Sequence, residues 1–444
     1  MASPAPTPTH RTESCESRAP HASDSILYYG LCCLLLFGPL AFGGDAPWAV
    51  FVLEIGASSL FLYWLLRQLR TREISILRNP VFLPMLAFAG LVLLQLLSHR
   101  SAYAQQSISS LLFYGAYGLI CFIAVQSIRR TRQIKKLAVI LTIYGSVIAL
   151  FAIVQSITFN GRIYWIKPLS HGGSIYGPYA NHNLYAGLME MLTPVALTVA
   201  LSHYVRGLQK LYSILAASLM AATIFLSQSR GGMVALSVQI AALAVILLRR
   251  KQPRDRKTLI PAAAFLLLFA ILLAYLGGNA LLNRMATLPG SNARDLSTDT
   301  RTNIVRDSLH MIRQRPILGW GLGTFADVYP RFRTFFTNFE VNQAHNDYVQ
   351  LLVEMGLLGF ATMLWLLIVV FRAGLHKLKQ WPADINGAVA LASLLGILGI
   401  LVHSLFDFNL QIRSNALLFY FLCTLAAMEP RFGASRRSLT KPRP

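Results

Sequence analysis

Uninterrupted apolar runs of about twenty residues recur from one end of this chain to the other, and each has the length a helix needs to cross roughly 30 Å of hydrocarbon. Twelve such candidate spans are read at 26–43, 47–66, 80–98, 107–126, 137–159, 183–203, 211–228, 231–249, 259–276, 346–371, 387–408 and 413–428. The runs are continuously apolar rather than alternating, which argues against a transmembrane β-barrel. Only 13% of the residues are charged and mean hydropathy is +0.52, whereas a soluble domain carries about 25% charged residues. The expected fold is an all-α polytopic membrane protein with about twelve transmembrane helices.

The net charge of +22 raises nucleic acid as a partner. The basic residues sit mostly in short gaps between apolar runs, where they act as topology signals, so no nucleic-acid partner is expected. Successive short gaps alternate: one set holds 20 Lys and Arg, the other 5. The rich set belongs to the cytoplasm by the positive-inside rule, which puts both termini inside.

This division gives five segments: a disordered cytoplasmic tail over 1–25, helices one to nine over 26–276, a long outer loop over 277–345, helices ten to twelve over 346–428, and a basic cytoplasmic tail over 429–444. The first tail is long, Pro- and Ser-rich and includes acids, unlike a signal peptide, so the first run is expected to remain as a span. The five cysteines (Cys15, Cys32, Cys33, Cys121 and Cys423) have no metal-site spacing and read as packing residues without a disulfide framework.

The outer loop carries eight Arg and no Lys. Loops this long in a compact fold are usually functional. Within it "TRTNIVRDSLHMIRQRP" reads as a helix with Ile304, Leu309 and Ile312 as packing residues, stopped by a Pro and followed by the turn "GWGLGTF". That turn looks like a fragment of a dinucleotide fingerprint, but no strand precedes it and no βαβ unit surrounds it, so it reads as a tight return to the membrane.

On this topology polar residues from several spans meet at the outer face. Span ten opens with His345, Asn346 and Asp347, and Asp347, Gln350 or Leu351, and Glu354 share a helical stripe. Span six opens with Asn181, His182 and Asn183, with Glu190 two turns deeper; span eleven ends with His403 and Asp407; Arg413 starts span twelve; Arg230 sits in the tight turn before span eight. A lone polar residue at such a boundary usually snorkels or bonds a neighbouring helix, whereas a convergent group lines a wet cavity or pathway. Glu54, isolated in span two, is given no role.

Arginine forks bind phosphate oxygens bidentately and stay charged, so an all-Arg loop beside this cluster fits a phosphate-bearing substrate, as it would a solvated or lipid-headgroup-binding face. No acid pair has metal-site spacing, so no metal or cofactor is expected and Arg takes the charge-stabilising role. His345 is the natural general base, because imidazole ordinarily titrates near neutrality.

Three stretches in this order, "SQSRGG", "TRTNIVRDSLHMIRQRPILGWGLGTF" and "AHNDYVQLLVEMGLLG", resemble the O-antigen ligase and Wzy-type polymerase superfamily, mainly over residues 175–415. The resemblance implies a metal-independent, inverting glycosyltransferase of GT-C-like architecture in the bacterial inner membrane, its active site and long loop facing the periplasm. It implies an undecaprenyl-diphosphate-linked glycan as donor and, as acceptor, the lipid A core or another glycan. By motif position Arg230 and Arg301 hold the diphosphate and His345 deprotonates or orients the acceptor hydroxyl. Arg301 is singled out from its loop neighbours only by this resemblance. The remaining candidates for substrate contact are Asn346, Asp347, Asn181, His182, Asn183, Arg306, His403, Asp407 and Arg413.

Within the superfamily, ligase action on lipid A core is favoured over a polymerase or a protein O-oligosaccharyltransferase. A transporter of lipid-linked glycan would carry charge near the midplane on broken helices in two repeated halves, and no repeat is visible. A non-catalytic assembly protein would not need Arg230, Arg301 and His345 together.

Overall fold

The computed structural model describes residues 22–72, 75–168, 174–249, 256–286, 298–337, 340–379, 381 and 384–429. Fourteen α-helices are described: α1 Ala22–Leu40, α2 Pro47–Thr71, α3 Phe82–Leu97, α4 Ala104–Ser127, α5 Thr131–Ile157, α6 His182–Leu201, α7 Leu208–Leu226, α8 Arg230–Leu248, α9 Arg256–Ala286, α10 Thr298–Gln314, α11 Phe325–Val328, α12 Asp347–Leu378, α13 Ile385–His403 and α14 Arg413–Ala427. The described strand is a single two-residue pair, Arg162–Ile163 against Lys167–Pro168. The protein is an all-α polytopic membrane protein.

Each of the twelve expected spans coincides with a helix. Nine of these are long and apolar enough to cross a bilayer: α2, α4 to α8, Thr258–Leu276 of α9, α12 and α13. Ser25–Leu40 and α3 are shorter apolar helices, and α14 has 15 residues. Residues 1–21 and 430–444, where the tails were expected, lie outside the described residues. Helix α9 runs on to Ala286, ten residues into the stretch expected as loop.

Helices α6 and α13 form the centre. The apolar window of α6 is 94% buried and that of α13 78%, as expected of helices apolar on all sides. Pro194 inside α6 cannot donate to the carbonyl of Glu190 four residues back. Gln239 of α8 supplies the missing donor: its Nε2 lies 2.8 Å from Glu190 O and 2.8 Å from Leu395 O of α13. One amide thereby ties three helices where no water can substitute.

The long segment between α9 and α12 folds on its own small core. Ile304 and Met311 of α10 pack with Trp320, Phe325, Val328 and Tyr329. The buried face of α10 is 304, 307, 308 and 311, the i, i+3, i+4, i+7 pattern. Leu309 is 45% exposed, which corrects its expected packing role: five residues from Ile304 is about 140° around the helix. Asp307 sits in this core with both oxygens satisfied, by Tyr329 Oη at 3.0 Å and by Thr334 Oγ1 and N at 2.8 and 3.2 Å.

Helix α12 is interrupted rather than continuous. Gly356 has φ 61° and ψ −164°, a conformation essentially reserved for glycine. The Gly-rich turn docks into the break: Trp320 N and Gly321 N donate to Val353 O and Glu354 O at 2.9 Å each, and Leu357 N and Leu358 N donate to Pro316 O and Ile317 O at 2.8 and 3.2 Å. A Cβ on Gly356 would stand 2.4 Å from Ile317 O. "GWGLG" is thus part of the plug of a broken span, docked into α12 at residues 353–358.

Candidate functional site

The polar starts of α6, α8 and α12 and the end of α13 meet at one end of the bundle. Each start is set by a side-chain cap. Asn181 Oδ1 accepts from Asn183 N at 2.8 Å, Ser229 Oγ from Gly232 N at 3.2 Å, and Asn346 Oδ1 from Tyr348 N and Val349 N at 3.0 and 3.1 Å. Asn and Ser are favoured here because they satisfy amides the first turn leaves free. Asn346 also donates to Leu405 O at 3.0 Å, which binds the start of α12 to the loop after α13.

Asp407, in that loop, is the hub. Its side chain is 1% exposed. Oδ1 lies 3.3 Å from His345 Nδ1 and accepts from Phe408 N at 3.0 Å. Oδ2 accepts from Asn183 Nδ2 at 2.5 Å and pairs with Arg301 Nη2 at 3.8 Å. Burial pushes the Asp407 carboxyl up, but the His345 hydrogen bond and charge, then Arg301 and His403, outweigh it and hold the group well below the usual carboxylate range. When His345 is neutral, an ionised Asp407 favours its proton on Nδ1 and leaves Nε2 as the acceptor.

His345 itself has φ 51°, a left-handed backbone that costs an ordinary residue about 1–2 kcal/mol. Its ring packs edge-on against Phe408 with centroids 4.9 Å apart. Arg301 is part-exposed, and Nη1 donates to Phe406 O at 2.9 Å. Arg301 Nε is buried with no hydrogen-bond partner among the described residues.

Arg230 opens α8 and is exposed. A Cβ on the next residue, Gly231, would lie 2.6 Å from His403 Cδ2 and 3.4 Å from Phe406 Cβ, so Arg230 enters at the turn that also holds Arg301. Beneath it His403 Nδ1 lies 2.8 Å from Glu190 Oε1 and Nε2 lies 3.4 Å from Ser229 Oγ. Ser, His and Glu in that order look like a nucleophilic triad. All three are at most 1% exposed, and the serine oxygen already caps α8, so the trio is a strut under Arg230.

The stripe Asp347, Gln350 and Glu354 is buried too. Asp347 Oδ2 accepts from Ser404 Oγ at 2.7 Å and Leu410 N at 3.0 Å, and Oδ1 from Gln411 at 3.3 Å. Gln350 accepts from Ala344 N at 3.0 Å and donates to Glu354 at 3.1 Å, and Glu354 Oε2 accepts from Gly323 N at 2.9 Å. These groups fix the loops on either side of His345. Asp347 and His403, expected to touch substrate, are here buried and bonded to protein groups.

The other candidates divide. His182 is buried with Nδ1 on Ser227 O, in the turn that leads to Arg230. Arg306 is exposed on α10, about 140° around the helix from Arg301. Arg413 pairs with Asp45 and lies over the Phe113 ring. Arg315, part of the all-Arg signal, stacks on Trp320 with 4.1 Å from its guanidinium carbon to the ring centroid and donates to Arg100 O at 2.6 Å. Among the described residues no three His, Cys, Asp or Glu side chains converge as metal ligands. Ser404, Gln411 and Ser229 were missed in the sequence; Ser229 had a signal, because Ser three residues before Gly232 at a helix start is a cap pattern.

The geometry is joined by two likenesses. A protein of Haemophilus influenzae, described as uncharacterized, is 24% identical over 299 residues, covering 62% of this chain and 71% of its own length. A family model described as O-Antigen ligase matches residues 215–364. That stretch contains Arg230, Arg301, Arg306 and His345, while their buried partners Asn183, His403 and Asp407 lie outside it. Over residues 215–364 the chain is thus similar to the O-antigen ligase family, a likeness that supports its resemblance to the superfamily of O-antigen ligases and Wzy-type polymerases.

Proposed function

We propose that the protein is a periplasmic-face glycosyltransferase of the inner membrane, moving a glycan from undecaprenyl diphosphate to a hydroxyl of the lipid A core. The observation that carries this reading is Asp407, which gathers His345 and Arg301 at the turn beside Arg230. The acceptor oxygen attacks the anomeric carbon from the face opposite the diphosphate, so the configuration inverts. As the new carbon–oxygen bond forms, His345 Nε2 takes the hydroxyl proton and Asp407 stabilises the imidazolium. The bond to the diphosphate breaks at the same carbon, and its oxygens depart as an anion onto Arg230 and Arg301. Both termini then lie in the cytoplasm, in agreement with the basic gaps.

The test is transfer by the purified protein from an undecaprenyl-diphosphate-linked glycan, with lipid A core and a second carrier-linked glycan as acceptors. A single addition to the core, unaffected by EDTA and slowed about 10²- to 10⁴-fold in His345→Ala, is expected. A ladder on the carrier makes the protein a polymerase. Loss with EDTA, restored by magnesium or manganese, refutes charge stabilisation by arginine alone.

A further inference from the structure

At the opposite end of the same helices lies a second feature that glycan transfer does not use. A cavity of about 800 Å³ opens between α5, α6, α13 and α14, within the ~300–1,000 Å³ of built ligand sites. Its walls follow α5 from Thr131 to Leu141, α6 from Ser202 back to Val195, and α13 from Ile385 to Ser393, so it reaches roughly 10 Å in from the helix ends. The walls are apolar, with Leu137, Leu141, Val195, Val199, Ala392 and Leu422 among them.

The mouth has a different chemistry. Arg132, Lys135 and Lys136 line it on the first turns of α5, and none of the lining residues is Asp or Glu. Asp384, one residue before the α13 wall, is close enough to influence Tyr204 and accepts from Asn386 at 2.9 Å. The lysines are spread across the opening. Lys135 Nζ sits 4.8 Å from the Tyr204 ring centroid, and Lys136 Nζ donates to Tyr29 Oη at 3.2 Å. The start of α5 adds the positive end of its helix dipole. Inside, Thr198 lines the wall, is only 4% exposed, and its Oγ1 has no hydrogen-bond partner among the described residues. A buried hydroxyl without a partner is costly, and a ligand oxygen would satisfy it.

A cationic mouth with tyrosines at interface depth, an apolar interior and one waiting hydroxyl match the parts of a membrane lipid in their natural order. We propose that this groove binds an anionic phospholipid of the leaflet opposite the His345–Asp407 site, with its phosphate on Arg132, Lys135 and Lys136 and an acyl chain along α6 and α13. The helix ends alone place it, so the inference does not depend on the glycan-transfer reading.

The experiment is native mass spectrometry of the full-length protein in neutral detergent, titrated with phosphatidylglycerol or with phosphatidylcholine of the same acyl chains. Phosphatidylglycerol should bind at least about tenfold tighter. Lys135→Ala with Lys136→Ala should weaken it about thirtyfold, at about 1 kcal/mol per interfacial cation, and Lys135→Arg with Lys136→Arg should restore it. Ala392→Trp should reduce retention of both lipids; if that variant does not fold, the lysine pair decides. Equal affinity for the two lipids overturns the proposal. So does a phosphatidylglycerol preference that survives the lysine variant, or glycerol phosphate binding as tightly as the whole lipid.

Discussion

Asp407→Asn removes one charge and almost no volume, so it tests the hub directly. The carboxylate accepts from His345, Arg301, Asn183 and Phe408 N. An asparagine offers one oxygen and turns an NH2 toward a donor. A hydrogen bond to a charged group is worth about 1.5–3 kcal/mol, or roughly 10- to 150-fold in rate at 1.4 kcal/mol per decade. Losing the Nδ1–H tautomer also removes part of a general-base contribution of about 10²–10⁴. A fall of about 10²–10³ in kcat is expected, with donor KM little changed. In a His345→Ala background the same substitution should cost less than about tenfold, through Arg301 alone, because groups acting as a unit are not additive. The assay is the transfer reaction with all four members of the cycle. A full hundredfold loss in both backgrounds would refute the pairing of Asp407 with His345. Stability supplies a second readout. With its carboxyl held low against the pull of burial, Asp407 contributes fully above the unfolded value of about 3.9, and the contribution fades as pH falls below it. The deficit in Tm of Asp407→Asn at pH 7 should therefore shrink below about pH 4; a constant deficit would contradict the depressed carboxyl.

Arg230→Lys keeps the charge but not the fork and should lower kcat/KM by about 10²-fold or more, since a point charge cannot replace bidentate phosphate contacts; near-normal transfer would remove Arg230 from diphosphate binding. Gly356→Ala should destabilise by at least about 1–3 kcal/mol from the backbone alone, beyond which its Cβ meets Ile317 O. A clear drop in Tm in detergent checks this, and an unchanged Tm would mean that the break in α12 is not held by the turn at 316–321.

The helices were legible because a bilayer-crossing helix needs a long apolar run, and those runs in this chain are separated by charged gaps. The convergence at one end was also legible, since an odd or even number of crossings decides which starts and ends face the same side. What could not be read is the partnership among those residues. His403 and Asp407 are four apart and share a helical face by spacing, yet α13 ends at His403 and Asp407 lies beyond it in the loop. The two therefore turn to different neighbours: His403 to Glu190 and Ser229, Asp407 to His345, Arg301 and Asn183. The break in α12 was hidden for a related reason. Its apolar pattern continues across Gly356, and only the carbonyls of a segment some forty residues earlier, at Pro316 and Ile317, show why the helix must open there.

The polar groups at this end sort by depth into two tiers, and that order has a physical reason. Arg230 is exposed and Arg301 and His345 are partly so, while Asp407, Glu190, His403 and Asp347 are buried. Buried carboxylates cost several kcal/mol unless every lone pair is met. Here Asp347 draws donors from a serine, a backbone amide and a glutamine, and Asp407 from His345, Arg301 and Asn183 on three other segments, while Glu190 meets His403 through Oε1 alone. Such a network stabilises little by itself, but it admits few alternative arrangements, since moving any one segment leaves a buried charge unpaired. On the proposed mechanism that constraint is what the upper tier requires: two guanidinium groups and an imidazole hold their positions while negative charge develops on a leaving diphosphate. A left-handed His345 is tolerable for the same reason. The residues on either side of it are held by Gln350 and by Asn346, so the surrounding bonds set its backbone and its own preference does not.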